Sequence, residues 1–290
     1  MPSSLSIVSL AAAVLVLRSA APAFAPGDGQ TREVGRTTER ELNVVISASF
    51  GSMKIAAGES EKIVVVRAGD EGHSPLDLSY AVRNRVGYLD VTLGESGNGE
   101  HQKVLRVKSI EGGDWDFRFC TAIPVSFDIE HGVGTAEFDL TGLQVKDFTL
   151  SSGAGDVVLV VNEPNSTVID NLTIESGVSR FEGRNLGNAN FRRFRFQGGV
   201  GASTLDFGGA LTAEADVDVE IGVGTVTIVV PSDIGARVTY DEGWMSRFDY
   251  DHSLRKTSEH QYTTDNYASA RGKLNITIDA GMGSVKIKRR

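Results

Sequence analysis

G-x-G triplets recur between strand-like runs, at Gly132-Val133-Gly134, Gly153-Ala154-Gly155, Gly199-Val200-Gly201, Gly222-Val223-Gly224 and Gly281-Met282-Gly283. Closely spaced glycines open the loops that wrap nucleotide phosphates, so phosphate binding is the first chemistry to weigh. Such a loop must lead into a helix whose free N–H groups meet the phosphate. Here GTVTIVV (from Gly224) and GSVKIK (from Gly283) continue as β-branched strand, with no third glycine at the required offset. The triplets therefore read as bends. Carboxylates are the next candidates, because glycan cleavage needs paired acids, or an Arg or Lys base, on neighbouring elements. The outward residues just after the bends are Thr135, Asp156, Arg180, Ala202, Thr225 and Ser284, a mixed column with no acid pair. Asp128, Glu130, Glu137, Asp139, Asp216, Asp218 and Glu220 alternate outward along their strands and read as a solvated acidic face. The five histidines (His73, His101, His131, His252, His260) form no close ligand pair, and His131 reads either as a core histidine or as a slight widening of one coil. Cys120 is the single cysteine, which excludes an internal disulfide and a CxxC site. GAGDVV resembles one calcium-binding repeat, but its Asp156 falls one place early and no other copy carries it. The expectation is a protein without catalytic residues, cofactor or metal.

What, then, do the bends position? Around Gly283 apolar residues fall at Leu274, Ile276, Ile278, Met282, Val285 and Ile287, and the same offsets recur around Gly51, Gly134, Gly155, Ser179, Gly201 and Gly224. Alternation marks one buried strand face, and its shift across the G-x-G marks a corner turned by an extra residue, with the apolar set, Met282 and its equivalents included, kept inward. From Gly134 the origins advance by 21, 24, 22 and 23 residues to Gly224. A near-constant step with one buried face per rung predicts an all-β, right-handed parallel β-solenoid with coils of about 22 residues. An antiparallel β-sandwich is the alternative fold. Ten or so coils would give a rod of about 50 Å.

Two stretches break the step. The 83 residues from Gly51 to Gly134 are close to four coils in length, with strand runs at Leu76–Val82, Val86–Leu93, Lys103–Val107 and Trp115–Phe119. Between Gly224 and Gly283 lie 59 residues, an insertion of about 37 over Pro231 to Gly272. It concentrates Tyr240, Trp244, Phe248, Tyr250, Tyr262 and Tyr267, which read either as a flap over the last coil or as a partner-binding surface. Arg193 and Arg195, outward on FRRFRF and expected near Arg180 or Arg184, form a secondary candidate contact.

The chain divides into residues 1–25, a signal peptide; 26–40, a linker; and 41–290, one all-β domain. That domain comprises an N-terminal part (41–123), glycine-bend coils (124–230), the aromatic insertion (231–272) and a final coil (273–290). The leader reading rests on Leu5 to Leu17, an apolar run of 13 residues too short to span a bilayer, followed by small residues ending at Ala25. Export beyond the cytoplasm is expected, with membrane association only through an uncleaved leader. A formal charge of −9 argues against nucleic-acid binding.

The run WDFRFCTAIPVSFDIEHGVGTAEFDLTGLQVKDFTLSSGAGDVVL, with its W-x-F-x-F, I-P and successive G-x-G coils, resembles the bacterial toast-rack family. So does the block from IGVGTVTIVVPSDIGARV through the aromatic insertion to KLNITIDAGMGSVKI. That family includes the C-terminal domain of LiaF-like envelope-stress proteins and candidate adhesins. The resemblance implies a non-catalytic binding or scaffold protein of the cell envelope, linked to stress sensing, with surface adhesion as the alternative and a carbohydrate-active enzyme as a distant one. A protein partner or an envelope polymer is the implied ligand. One short apolar segment stands here where LiaF-like chains carry several membrane helices.

Overall fold

The computed structural model describes residues 31–69, 76–94, 113–241 and 245–290. The proposed leader, His73, His101, the run Lys103–Val107 and Trp244 lie outside the described residues. Sixteen strands form one continuous sheet among the described residues. In chain order they are β1 (Thr31–Gly35), β2 (Glu41–Ala57), β3 (Lys62–Ala68), β4 (Leu76–Arg83), β5 (Val86–Leu93), β6 (Gly113–Phe119), β7 (Pro124–Asp139) and β8 (Gln144–Val160). They continue as β9 (Ile169–Arg184), β10 (Phe191–Asp206), β11 (Glu214–Val230), β12 (Gly235–Asp241), β13 (Met245–Tyr250), β14 (Leu254–Lys256), β15 (Gln261–Thr264) and β16 (Lys273–Arg289). Seven of these, β2, β7 to β11 and β16, are 16 or 17 residues long. They stack side by side in that order, every neighbouring pair parallel.

Register follows the apolar phase. Ile46, Ile129, Leu150, Ile174, Phe196, Val219 and Ile278 form one ladder and are at most 1% exposed. Removing such residues from water stabilises the fold by about 2 kcal/mol each, and β-branched and aromatic side chains suit the pleated face. The central architecture is thus an all-β solenoid-like stack. Antiparallel pairing occurs only toward the ends of the described sheet, at β1/β3, β3/β6, β4/β5, β12/β15 and β14/β15.

The connection from each long strand to the next carries its own core, with Leu140, Leu143, Val161, Leu186, Phe207 and Leu211 buried. Chain that leaves the sheet must satisfy its backbone groups elsewhere. Buried Asn165 does this by accepting from the Val145 N–H at 3.1 Å and donating to the Val145 and Ala189 carbonyls at 2.7 and 3.2 Å. Asn188 repeats the device one connection later, donating to Val161 O at 2.9 Å and accepting from the Ala210 N–H at 2.8 Å.

Three expectations are corrected. The stretch from Gly51 to Gly134 does not add four coils, because β2 pairs directly with β7. Instead β5 lies against the first half of β2 and β6 against its second half, giving one split rung outside β2. The insertion repeats this at the other end, where β12 and β13 pair with the two halves of β16. Seven long strands and two split rungs replace the expected ten or so coils, a stack of about 40 Å. The residue between the glycines, thirdly, does not face inward: Met282 is 43% exposed and Val178 61%.

Candidate interaction surface

The bend explains that exposure. Along the long strands the residue three before the second glycine, or before Ser179 in β9, is buried except at half-buried Gly198, and the one two after it is buried again, so the four residues between them swing out around a corner. At Gly51, Gly134, Gly155, Gly201, Gly224 and Gly283 φ lies between +124° and +148°, backbone that only glycine adopts readily. Space forbids a side chain as well: a Cβ on Gly155 would lie 1.7 Å from the Gly134 carbonyl oxygen, and one on Gly153 would lie 2.4 Å from that of Gly132. Both glycines let one corner nest against the next. Ser179 takes the second position in β9, and its φ is not positive.

Because the corners are in register, their tips form a column. Phe50, Val133, Ala154, Val178, Val200, Val223 and Met282 follow one another across the long strands, and Met245 of β13 extends the line. Except for half-buried Ala154, these residues are 38–61% exposed. The result is an apolar ridge crossing the stack. On its N-terminal side runs a groove of about 1190 Å³, floored by the first glycine of each bend and by the small or buried residues before it. Its outer wall is the in-register column Ser47, Glu130, Ser151, Glu175, Gln197, Glu220 and Asp279. Acids alternate with neutral donors there: Ser151 Oγ donates to Glu175 at 3.2 Å and Gln197 Nε2 to Glu220 at 2.7 Å. At the floor, His131 is 2% exposed, and its Nε2–H donates to the Gly51 carbonyl oxygen at 3.2 Å. Burial lowers its pKa below the usual imidazole value, so the ring is neutral at pH 7.

The aromatic insertion is arranged differently. Tyr240 (1% exposed) and Tyr262 (4%) are buried, and Phe248 packs against the core. Phe248 stacks on Tyr240 at 4.4 Å between centroids, and Tyr250 meets Tyr262 at 4.6 Å. Tyr240 also hydrogen-bonds through its hydroxyl to Ser246. These rings lie against β16 as the cover of the last long strand. Tyr250 keeps 38% exposure. Half-buried Tyr267 donates to Asn275 Oδ1 at 2.6 Å, with the Arg237 guanidinium 4.3 Å above its ring. Arg193 and Arg195 are exposed, yet they do not neighbour Arg180 or Arg184, which pair across the other half of the bend. Their register partners on β11 are Asp216 and Asp218. Among the described residues no group of three or more His, Cys, Asp or Glu side chains is arranged to hold a metal ion. The reading of the triplets as inward corners hid the ridge; the signal that reveals it is the persistence of an apolar residue between two glycines whatever the neighbouring sequence.

Residues 24–182 match the sequence model for the N-terminal domain of toast_rack, more than half of the chain. The chain belongs to the toast-rack family. Residues 181–287 of this toast-rack protein match the model described as cell wall-active antibiotics response LiaF, C-terminal, so the boundary between the two matches falls within β9, inside the continuous ladder. No curated protein shows significant similarity to the chain. Solved structures similar to it include a candidate cell adhesion protein from Clostridium sporogenes, 16% identical, covering 91% of this chain and 99% of its own, with a TM-score of 0.45. A candidate adhesin from Bacteroides fragilis is 14% identical over 90% of this chain and 98% of its own, with a TM-score of 0.34. No helix among the described residues is long and apolar enough to cross a membrane.

Proposed function

We propose that this toast-rack protein is an exported, non-catalytic binding scaffold of the bacterial cell envelope that acts in the response to envelope stress. The observation that carries the reading is the match of residues 181–287 to the LiaF C-terminal model, on a strand ladder that repeats exposed positions in fixed register. A stack of this kind offers a long surface at little conformational cost, since its backbone is already ordered. We take its coils as right-handed, with a step of about 22 residues, as parallel crossovers require. Of the predicted contact residues, Tyr250, Tyr267, Arg193 and Arg195 keep accessible surface and stay within the proposed contact area, whereas buried Tyr240 and Tyr262 and partly buried Phe248 serve the cap.

Deleting the gene in the source organism tests the function. The expected outcome is an altered transcriptional response and altered survival under cell-wall-active antibiotics, with complementation by the intact gene. Loss of surface attachment with an unchanged antibiotic response would support the adhesin reading instead. Export is checked separately by fractionation and N-terminal sequencing of the native protein, with a mature start near Pro26 expected. A cytoplasmic protein that retains Met1 refutes it.

A further inference from the structure

We propose that the glycine-floored groove and the apolar ridge beside it dock a basic amphipathic α-helix of a partner polypeptide, lying along the stack. The inference rests on the binding-scaffold reading and names the chemistry of the partner. Three observations carry it. Exposed apolar tips recur on rung after rung, where a soluble surface usually scatters such residues singly. Along the opposite wall stand Glu130, Glu175, Glu220 and Asp279, all exposed, and none takes part in an ion pair among the described residues. Two polar atoms at the floor, Ser152 Oγ and His131 Nδ1, have no hydrogen-bond partner although their residues are 6% and 2% exposed.

An apolar edge beside a parallel row of uncompensated carboxylates complements a ligand with the same two stripes in opposite charge. An anionic lipid surface would meet the acid wall with like charge. Spacing selects the helix over an extended strand. Glu130, Glu175 and Glu220 lie on alternate long strands, about 9.6 Å apart, and Asp279 lies one strand further, about 4.8 Å on. Helical positions i, i+7, i+14 and i+15 share one face and rise about 10.5, 21 and 22.5 Å, within about 2 Å of the acids at about 9.6, 19.2 and 24 Å from Glu130. A strand presents the same face every ~6.7 Å and falls out of step at the second acid. From Ser47 to Asp279 the wall spans six intervals, about 29 Å, the length of a helix of about 19 residues.

The experiment titrates the full chain with a fluorescent Leu/Lys amphipathic helical peptide of about 18 residues, with a scrambled peptide of identical composition as control. Saturable binding by the amphipathic peptide alone is expected. Replacement of the wall by Glu130→Gln, Glu175→Gln, Glu220→Gln and Asp279→Asn together should weaken it at least about tenfold. The ridge pair Val178→Ser and Val200→Ser should weaken it at least about fivefold. Neutralising four acids away from the wall, by Glu61→Gln, Glu163→Gln, Asp233→Asn and Glu259→Gln, should leave affinity within about twofold. All substituted side chains are at exposed positions, and circular dichroism verifies that each variant folds. Equal weakening by both acid sets, or equal binding of the scrambled peptide, overturns the proposal. So does uptake onto phosphatidylglycerol vesicles through Val178 and Val200 without peptide binding, which assigns the ridge to lipid. A concentration-dependent dimer abolished by the serine pair overturns it in favour of a second copy. Failure here leaves the antibiotic response of the deletion strain untouched, so the two readings fall separately.

Discussion

The middle of the stack and its two ends solve the same problem by opposite means. From β7 to β11 each strand is held by parallel neighbours of nearly equal length, and each corner nests on the one before it through closely packed glycines, with Ser179 taking the second place in β9. At the ends no further long strand follows among the described residues, and an exposed parallel edge would invite pairing with another chain. There the rung is split: β5 and β6 cover β2, β12 and β13 cover β16, and short antiparallel strands finish the sheet. The outermost elements are brief and charged, as in β14 (LRK). Repetition builds the interior from backbone geometry, whereas side-chain packing builds the caps; substitutions should therefore fail differently in the two regions.

The largest effect should come from a charge inside the ladder. Leu150→Asp places an unpaired carboxylate at a site 0% exposed and should cost more than about 4 kcal/mol, read as loss of the cooperative urea transition. Next is the corner. Gly155→Ser should cost about 3–5 kcal/mol in urea midpoint, because φ is +136° and the added Cβ meets backbone. The reverse change in β9, Ser179→Gly, should cost less than about 1 kcal/mol, since that rung already accommodates a side chain. Equal costs at these two positions would show that the corner is not set by glycine.

The cap should respond as a packed core. Tyr240→Ala removes a ring stacked on Phe248 and should cost about 3 kcal/mol, leaving m-values near wild type. Replacing residues 245–265 by a short Gly-Ser link should lower thermal stability, because it strips β13 from β16 along with the rings over it. Unchanged stability would return those aromatics to a recognition role.

A smaller effect is pH-dependent. His131 has a folded pKa below its ordinary value, so the unfolded chain binds its proton first; its contribution to stability is present above about pH 6.5 and is lost as pH falls through the folded value. His131→Ser, matching Ser152 and Ser176 on the next rungs, should flatten the dependence of the urea midpoint on pH below 6.5. An unaltered slope would place the titration elsewhere. The smallest effect is expected from Thr149→Asp, outward beside Leu150, at within about 0.5 kcal/mol.

How much of this could be read beforehand follows the range of each interaction. The ladder of Ile129, Leu150, Ile174, Phe196, Val219 and Ile278 was legible because alternation and repeat step are properties of neighbouring residues. The ridge was not, because an apolar residue at a bend looks the same in a chain whether the corner folds in or out. The neighbours of Arg193 are hidden for a similar reason: the offset across the bend decides which half of the preceding rung it meets, Asn171 rather than Arg180. Of the insertion aromatics, only packing against β16 could sort Tyr240 from Tyr250.

By itself, then, the sequence determined the repeating parts: one inward face per strand, a glycine corner, and a shared phase, each enforced by local stereochemistry and by the cost of exposing apolar surface. Tertiary structure alone decided which segment lies beside which. The described strands between β2 and β7, and those between β11 and β16, lie at the two ends of the sheet, so that β2 meets β7 and β11 meets β16 across 83 and 59 residues from one second glycine to the next. Loop closure costs little more for a long excursion than for a short one, while a matched parallel neighbour restores a full strand of hydrogen bonds and a buried face. That balance is struck between residues far apart in the chain.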